Sequence, residues 1–435
     1  TVEMAHVTYS GLPAEVAAGN RILLADGMLV LEVVKVEGPR IKTKVISGGE
    51  ISSRKRVACP GVELKLPFLS EQDEKDILFA AENDMDYIAA SFVQNAEDVF
   101  AIRRLLEANG YQMGIIAKIE NQAGLQHIEE IIKASEGIMV ARGDLGVEIP
   151  AEIVPLKQKK LIHACNQAGK PVITATQMLE SMVNSYRCTR AEASDIANSI
   201  FDGTDAIMLS GETASGKYPL EAVKTMAQIA RTTEDALDYE KIYRDSGALS
   251  KTNSTDAIAH GTVQIAREIG ADAVVCITSS GFTAQNLSKY RSAVPVIAVT
   301  QTEKACRALQ LYWGVEPIIG PYSENTDEMM ELSIEAALRS GCVKTGNSIV
   351  VTAGIPIGKP GSTNMIRVLS LGRKILSGTG IGKRTVSGRV CLCRTAEDFA
   401  VKLKPGMILV TDILAEAEAG YASQAGAIIA EEGGY

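Results

Sequence analysis

The sequence predicts an α/β protein that joins a small all-β domain, a partial (β/α)8 (TIM) barrel, a doubly wound α/β domain and a partial β-rich tail. Three observations predict this organisation. The first 66 residues contain short alternating strands separated by glycine turns, two later blocks alternate apolar strands with amphipathic helices, and the length of 435 residues suffices for about three domains. We place the domain boundaries at residues 1–66, 67–240, 241–372 and 373–435.

The composition indicates a soluble globular protein. Apolar residues make up 46% of the chain and charged residues 22%, which excludes wholesale disorder. The net charge of -9 argues against nucleic-acid binding, because a surface that follows phosphates needs clustered Lys and Arg. No stretch approaches the roughly 18 uninterrupted apolar residues of a membrane span, and the first residues form no signal peptide. We expect a cytoplasmic protein without a nucleic-acid or membrane partner.

Residues 1–66 are predicted to form β-hairpins. Alternating runs at 21–24 and 29–34 flank the dipeptide Asp26-Gly27. An Asp-Gly step between two such runs is a strong hairpin signal, since it supplies the positive φ that the turn requires.

From residue 67 the pattern changes to alternating strands and helices. Helices are predicted over Glu71–Asn83 and Gly124–Ala134, where apolar residues recur at a spacing of three to four. The predicted strands are short and apolar on both faces: 86–91, 114–119, 137–141, 171–175 and 205–209. Such strands, joined by helices, predict a parallel sheet with right-handed crossovers, and five units fill part of an eight-stranded barrel.

A second strand–helix block follows a polar stretch at 239–254. Its predicted strands are 272–278, 294–299, 315–319 and 347–352. This block is typical of a doubly wound α/β domain. A glycine-rich linker at 377–382 then leads into the tail.

The segment around Lys118 and Glu120 carries the clearest chemical signal. These residues lie two positions apart at the end of an apolar strand, so both side chains point to the same face. In a parallel barrel the carboxyl ends of the strands form the active face. A structural ion pair is the alternative that this pattern leaves open.

The next strand ends in Gly143 and Asp144, which we expect at the same edge as Glu120. Two carboxylates on adjacent strands suit Mg²⁺, which keeps several waters and shares its shell with substrate phosphates. Gly143 allows the backbone to approach a ligand closely. A simple Gly-Asp turn is the alternative. Thr176 and Gln177 follow the next strand and are weak signals, since such residues often only cap helices.

Two other site types are excluded. The run from Gly211 to Lys217 has the spacing of a P-loop, but Tyr218 stands where the Mg²⁺-binding Ser or Thr is needed. Cys391 and Cys393 lack the spacing of a structural zinc site.

Together these segments resemble the pyruvate kinase family. The matching stretches are KIEN from Lys118, MVARGDLGVEIP at 139–150, TATQMLESM at 174–182 and the segment 189–219. The resemblance implies phosphoryl transfer from phosphoenolpyruvate to ADP, giving pyruvate and ATP in the last step of glycolysis, at a site that needs Mg²⁺ (or Mn²⁺) and K⁺. It also implies that residues 1–66 form a small β-barrel lid inserted into the barrel, of which strands four to eight follow.

The resemblance assigns roles to five barrel residues. Lys118 would neutralise the transferring phosphoryl group and the developing enolate, and Glu120 and Asp144 would be the divalent-metal ligands. The N–H groups of Gly143 and Asp144 would hold the substrate carboxylate, and Thr176 would lie beside the enolate carbon that is protonated.

The resemblance also implies nucleotide and effector contacts. Lys55 of the lid would reach the nucleotide phosphates. The α/β domain would bind a sugar-phosphate or nucleotide effector, with Gly354–Thr363 as a flanking loop. The effector-binding residues would be Thr278, Ser279, Ser280, Gly281 and Thr283. A homotetramer is expected.

The tail resembles the start of the mobile phosphohistidine domain of phosphoenolpyruvate-utilising enzymes. No histidine follows His260, so a phosphohistidine relay is excluded in these 435 residues. We expect the chain to be incomplete at both ends.

Several features depart from the family pattern. The resemblance implies three barrel strands ahead of the lid, with a phosphate-binding arginine and the K⁺ ligands, and no segment matches them. Tyr186 and Cys188 replace prolines, Gln94 replaces a basic residue and Ala58 replaces an asparagine. We therefore expect little turnover from this chain alone. Two alternatives stay open: a non-catalytic binding or regulatory protein, and another Mg²⁺-dependent barrel enzyme that acts on enolates.

Overall fold

The computed structural model describes residues 4–25, 27–62, 64–247, 253–323, 325–354, 363–372, 380 and 386–431. The chain divides into two compact units, Thr1–Gly372 and Arg373–Tyr435. Among the described residues no helix has the length and apolar character needed to cross a membrane.

The first part of the larger unit is an antiparallel sheet. Its elements are α1 (Leu12–Glu15), β1 (Arg21–Leu24), β2 (Leu29–Glu37), β3 (Arg40–Ser47) and β4 (Val57–Ala58). Gly27 and Gly38 adopt φ angles of +84° and +58° in the two turns, which confirms the first predicted hairpin. The strand order β3-β2-β1-β4 leaves β3 and β4 at the edges. In the described residues β3 and β4 do not pair with each other, so the small β-barrel that the resemblance implies is present here as an open antiparallel sheet.

A five-stranded parallel sheet follows. Its strands, β5 (Tyr87–Ala90), β6 (Gly114–Ile119), β7 (Gly137–Ala141), β8 (Val172–Ala175) and β9 (Ala206–Met208), pair in the order of the sequence. The helices are α2 (Glu71–Glu82), α3 (Ala96–Ala108), α4 (Gln122–Gln126), α5 (Ile128–Ala134), α6 (Arg142–Glu148), α7 (Val154–Ala168), α8 (Arg190–Phe201), α9 (Gly211–Ala214), α10 (Pro219–Asp235) and α11 (Tyr239–Gly247). All five predicted strands are present.

The predicted helical stretch over residues 124–134 is helical except for a break at His127. The segment forms α4 and α5, which meet at His127, the residue that ends one helix and precedes the next. The amphipathic spacing continues through this break, so the apolar pattern alone did not indicate it.

The two faces of the parallel sheet differ. Ile115, Ala117 and Ile119 of β6 are buried in the core that the helices cover. The opposite face carries a small apolar cluster that includes Ile116, beside which Met139 packs. Because side chains alternate along a strand, Lys118 and Glu120 continue the row of Ile116 on this second face.

The third sheet has the order β12-β11-β10-β13-β14. Its strands are β10 (Ala273–Ile277), β11 (Val296–Thr300), β12 (Val315–Ile319), β13 (Ser348–Gly354) and the antiparallel edge strand β14 (Thr363–Ser370). The helices are α12 (Ser254–Glu268), α13 (Phe282–Ser288), α14 (Glu303–Leu309) and α15 (Thr326–Ser340). Separate apolar cores lie on the two faces, which confirms the predicted doubly wound α/β arrangement.

The α/β domain contacts the amino ends of the parallel strands. Arg291 pairs with Asp205, just before β9, at 2.5 Å, and Arg307 pairs with Asp86, just before β5, at 2.7 Å. These contacts leave the carboxyl ends of the same strands free for a site.

The smaller unit is an α/β fold rather than the predicted β-rich tail. Strands β15 (Val390–Leu392), β16 (Ile408–Thr411) and β17 (Ala427–Ala430) are parallel, and helices α16 (Ala396–Lys402) and α17 (Ala419–Ala422) occur between them. Phe399 of α16 packs in one core with Cys391 and Leu409 of the sheet. The predicted linker at 377–382 lies, except for Gly380, outside the described residues.

Candidate active site

The predicted ion pair lies at the carboxyl end of β6. Lys118 Nζ is 3.0 Å from Glu120 Oε1 and donates a hydrogen bond of 2.8 Å to Ser91 Oγ. Ala90 of β5 pairs with Ala117 of β6, so Ser91 comes next to Lys118 through the register of the parallel strands. The prediction that Lys118 and Glu120 share a face is confirmed.

Glu120 is buried, with 1% of its side chain exposed, and its two oxygens differ. Oε2 accepts a 2.7 Å hydrogen bond from the N–H of Phe92. Oε1 accepts no hydrogen bond from the described residues, so its contact with the Lys118 ammonium is an ion pair without hydrogen-bond geometry. Burial of a carboxylate oxygen that accepts no hydrogen bond costs free energy, and a further positive group bound to it would offset this cost.

Gly143 and Thr176 are also brought together. The N–H of Gly143 donates a 2.7 Å hydrogen bond to Thr176 Oγ1, which donates in turn to the carbonyl of Ala175. A Cβ added at Gly143 would lie 3.4 Å from Thr176 Oγ1, at the limit of a normal contact. This agrees with the prediction that the backbone comes close to a partner here.

Asp144 lies in the first turn of α6 and forms an ion pair with Arg56, which precedes β4. The described contacts of Asp144 therefore involve Arg56 and do not include Lys118 or Glu120. Lys55 is exposed beside Arg56 and forms no ion pair with the described residues. The structure thus brings together Lys118 with Glu120 and Gly143 with Thr176.

Arg142 positions the Thr176 loop. Its guanidinium donates to the Thr176 carbonyl at 2.7 Å and to Asp195 Oδ1 at 2.8 Å. Thr176 and Gln177 both have positive φ angles, +72° and +55°, which are strained for such residues. Sequence reasoning missed Arg142, although a charged residue directly after a buried strand was a signal.

Glu212 joins two loops at this edge. It is 1% exposed, and it accepts hydrogen bonds from the N–H of Leu179, at 3.0 Å, and of Ser210, at 2.8 Å. The loop after β8 is therefore tied to the loop after β9. Sequence reasoning covered Glu212 only as a member of the rejected P-loop and of the matching segment 189–219, and assigned it no role.

The carboxylates at this edge are of the chemical type that a magnesium ion binds. Among the described residues no group of three His, Cys, Asp or Glu side chains could hold a metal. Mg²⁺ does not require such a group, since it usually takes one or two carboxylates and completes its shell with waters and substrate phosphates. Such an ion would be held by the buried Oε1 of Glu120 and by the carboxylate of Asp144.

The predicted effector residues follow β10. Thr278 Oγ1 accepts a 3.0 Å hydrogen bond from the N–H of Gly281, whose φ is +86°. Thr283 and Thr363 share a buried hydrogen bond of 2.7 Å between their hydroxyls. Ser279 and Ser280 are exposed. In the predicted flanking loop, residues 355–362 lie outside the described residues.

A parallel α/β barrel sheet with a lysine, carboxylates and main-chain N–H groups at its carboxyl edge has the features of a phosphotransferase that acts on an anionic substrate. Two family models match the chain: the pyruvate kinase barrel domain over residues 1–223 and the pyruvate kinase alpha/beta domain over residues 256–369.

Curated relatives match over the whole chain. It is 50% identical to a pyruvate kinase of Geobacillus stearothermophilus and 47% identical to one of Bacillus licheniformis, in each case over 100% of this chain and 74% of the relative. A pyruvate kinase of Staphylococcus aureus (strain MRSA252) is 44% identical with the same coverage. The chain belongs to the pyruvate kinase family of glycolytic phosphotransferases. Another class of enolate-handling barrel enzyme is thereby excluded.

Proposed function

We propose that the chain transfers the phosphoryl group of phosphoenolpyruvate to ADP at the carboxyl ends of β6, β7 and β8. The observation that carries this proposal is the pair of Lys118 and Glu120, in which a buried carboxylate oxygen lacks a hydrogen bond. Family membership supports the reaction, and this pair supports the proposed location of the site.

Lys118 supplies the positive charge for transfer. Its ammonium lies in the row of side chains that faces away from the helices, and 23% of the side chain is exposed. Phosphoryl transfer depends mainly on position and charge compensation, so an ammonium held by Glu120 and Ser91 stabilises the charge that develops on the phosphoryl group and the enolate oxygen.

Glu120 and Asp144 are the proposed ligands of Mg²⁺ or Mn²⁺. When bound, the divalent ion would neutralise phosphate charge and orient the phosphoryl group. Glu120 is held by the Phe92 N–H, which fixes the direction of its second oxygen. K⁺ is expected from the family, and we assign no residue of this chain to it.

The substrate carboxylate is proposed to bind the N–H groups of Gly143 and Asp144. The Gly143 N–H now donates to Thr176 Oγ1, so binding of the carboxylate would replace this bond and free the hydroxyl. Thr176 would then lie next to the enolate carbon, where it holds the proton donor. The lid residue Lys55 is proposed to contact the nucleotide phosphates.

The remaining assignments also rest on the family. We propose a lid at 1–66, barrel at 67–240, effector domain at 241–372 and mobile domain at 373–435. A sugar phosphate or nucleotide would bind at the loop after β10, and the chain would form a homotetramer. The hydroxyl groups between Thr278 and Thr283 can donate hydrogen bonds to the oxygens of a phosphate.

Replacement of Lys118 tests the proposal. In a protein that also carries the barrel strands expected ahead of the lid, Lys118→Met should lower phosphoenolpyruvate-dependent ATP formation at least 100-fold, because it removes a preorganised charge, while the dissociation constant for ADP stays within twofold. Lys133→Met, which removes an exposed lysine of α5, is the matched control. Turnover of Lys118→Met within tenfold of the parent would contradict its role. Metal-dependent binding of phosphoenolpyruvate without ATP formation by the parent would favour a regulatory protein instead.

A further inference from the structure

Arg56 contacts the barrel from the lid. Its Nη1 forms an ion pair with Asp144 Oδ1, and its guanidinium carbon lies 4.3 Å from the centroid of the Phe92 ring. Both partners of the ion pair are partly buried, with 31% of the Arg56 side chain and 28% of the Asp144 side chain exposed. A guanidinium that stacks on a ring and pairs with a carboxylate is held from two directions.

These contacts place Arg56 at the proposed metal site. Asp144 is one proposed ligand, and Phe92 holds the other, since its N–H binds Glu120 Oε2 at 2.7 Å. A third carboxylate, Glu148, is close enough that the charge of Arg56 opposes the rise in its pKa that burial causes. The guanidinium is thus one of two positive groups at this acidic edge, the other being the Lys118 ammonium beside Glu120.

A divalent ion and the guanidinium would compete for the negative charge of Asp144. Arg56 contacts Oδ1 of Asp144, and an ion bound to either oxygen of this carboxylate would lie within a few ångströms of the guanidinium, where the two positive charges repel each other in a partly buried site. Arg56 cannot relieve this repulsion by losing a proton, because arginine stays charged in proteins. Metal binding should therefore weaken the ion pair and favour departure of the Arg56 side chain.

We propose that Arg56 competes with the divalent cation for Asp144, so that metal binding releases the lid segment that carries Lys55. Without metal, the ion pair keeps this segment on the barrel edge. With metal, the segment is free to bring Lys55 to the nucleotide phosphates, and metal binding precedes nucleotide binding. This inference rests on the proposed metal ligands Glu120 and Asp144.

Binding of Mn²⁺ alone, measured by electron paramagnetic resonance of the free ion, tests the competition. Arg56→Gln should bind Mn²⁺ about fivefold more tightly than Arg54→Gln, since it removes a competing ion pair. Arg54 is exposed in the same segment and makes no described ion pair, so the control has the same net charge. Equal affinities of the two variants, within twofold, would overturn the proposal.

Two further measurements separate the possible failures. Glu120→Gln should abolish Mn²⁺ binding at this site, and unchanged binding would refute the metal site itself. If Glu120→Gln loses Mn²⁺ binding but Arg56→Gln and Arg54→Gln bind Mn²⁺ equally well, only the competition is refuted. Hydrogen exchange of the segment 53–57 should become faster when Mn²⁺ is added to the parent, and should not change in Arg56→Gln. Slower exchange in the parent would contradict release of the segment.

Discussion

Glu212 is expected to hold the active-site loops, and its replacement gives a quantitative test. In Glu212→Ala the N–H groups of Leu179 and Ser210 lose their acceptor in a buried place. A hydrogen bond to a charged group contributes about 1.5–3 kcal/mol, so two of them predict a loss of about 3–6 kcal/mol in the free energy of unfolding. Urea denaturation followed by circular dichroism measures this loss.

The same substitution should affect catalysis through the loop that begins at Thr176. Misplacement of a positioned group by about 1 Å costs on the order of 100-fold in rate, so ATP formation at saturating substrates should fall by about 10- to 100-fold. The dissociation constant for ADP should stay within twofold, because the lid residue Lys55 makes the proposed phosphate contact. A merely structural role for Glu212 would lower stability without changing the rate of the folded enzyme.

Two variants control this experiment. Glu180→Ala removes an exposed carboxylate from the same loop and should change the unfolding free energy by less than about 0.5 kcal/mol. Glu212→Gln keeps one acceptor oxygen, so its free energy of unfolding should lie between those of the parent and of Glu212→Ala. This variant replaces Glu212→Ala in the test if the alanine variant does not fold. A loss in Glu212→Ala below about 1 kcal/mol, or equal to that of Glu180→Ala, would refute the reasoning.

Two other predictions concern stability. Arg291→Ala should lower the free energy of unfolding by about 3–5 kcal/mol, since it leaves Asp205 buried without its ion-pair partner, and a loss below about 1 kcal/mol in urea denaturation would contradict this. Burial raises the pKa of Glu192, but hydrogen bonds from Ser181 and Thr189 outweigh it and hold the pKa below its usual value. Because the pKa is depressed in the folded state, this contribution is present above about pH 4.3 and is lost as the pH falls through the folded-state pKa. The free energy of unfolding of Glu192→Gln should therefore fall less steeply with decreasing pH than that of the parent. Equal slopes of the two curves would show that these hydrogen bonds do not stabilise the folded state.

The sequence predicted those features that depend on local periodicity. Lys118 and Glu120 share a face because they lie two apart in a strand, and the apolar neighbours Ile116 and Ile119 indicated that the strand is buried on both sides. Parallel pairing then predicted the common edge with Gly143. All of this follows from the repeat of two residues and from the way parallel strands align their ends.

The contacts between distant loops could not be predicted from local periodicity. The pair of Arg56 with Asp144 joins residues 88 positions apart, and no periodicity links them. The bond from Glu212 to Leu179 likewise depends on how two loops fold over one edge. The tail was misassigned as β-rich because its helices α16 and α17 have only seven and four residues, too few for the helical spacing of apolar residues to be recognised.

The central claim is that Lys118, Glu120 and Asp144 surround one divalent cation. Anomalous diffraction from crystals of the chain soaked in Mn²⁺ tests it most directly. We predict one strong manganese peak within about 2.3 Å of Glu120 Oε1 and of an Asp144 oxygen, with the Arg56 side chain moved away. A peak that contacts neither carboxylate, or Arg56 still paired with Asp144 beside a bound ion, would contradict the account.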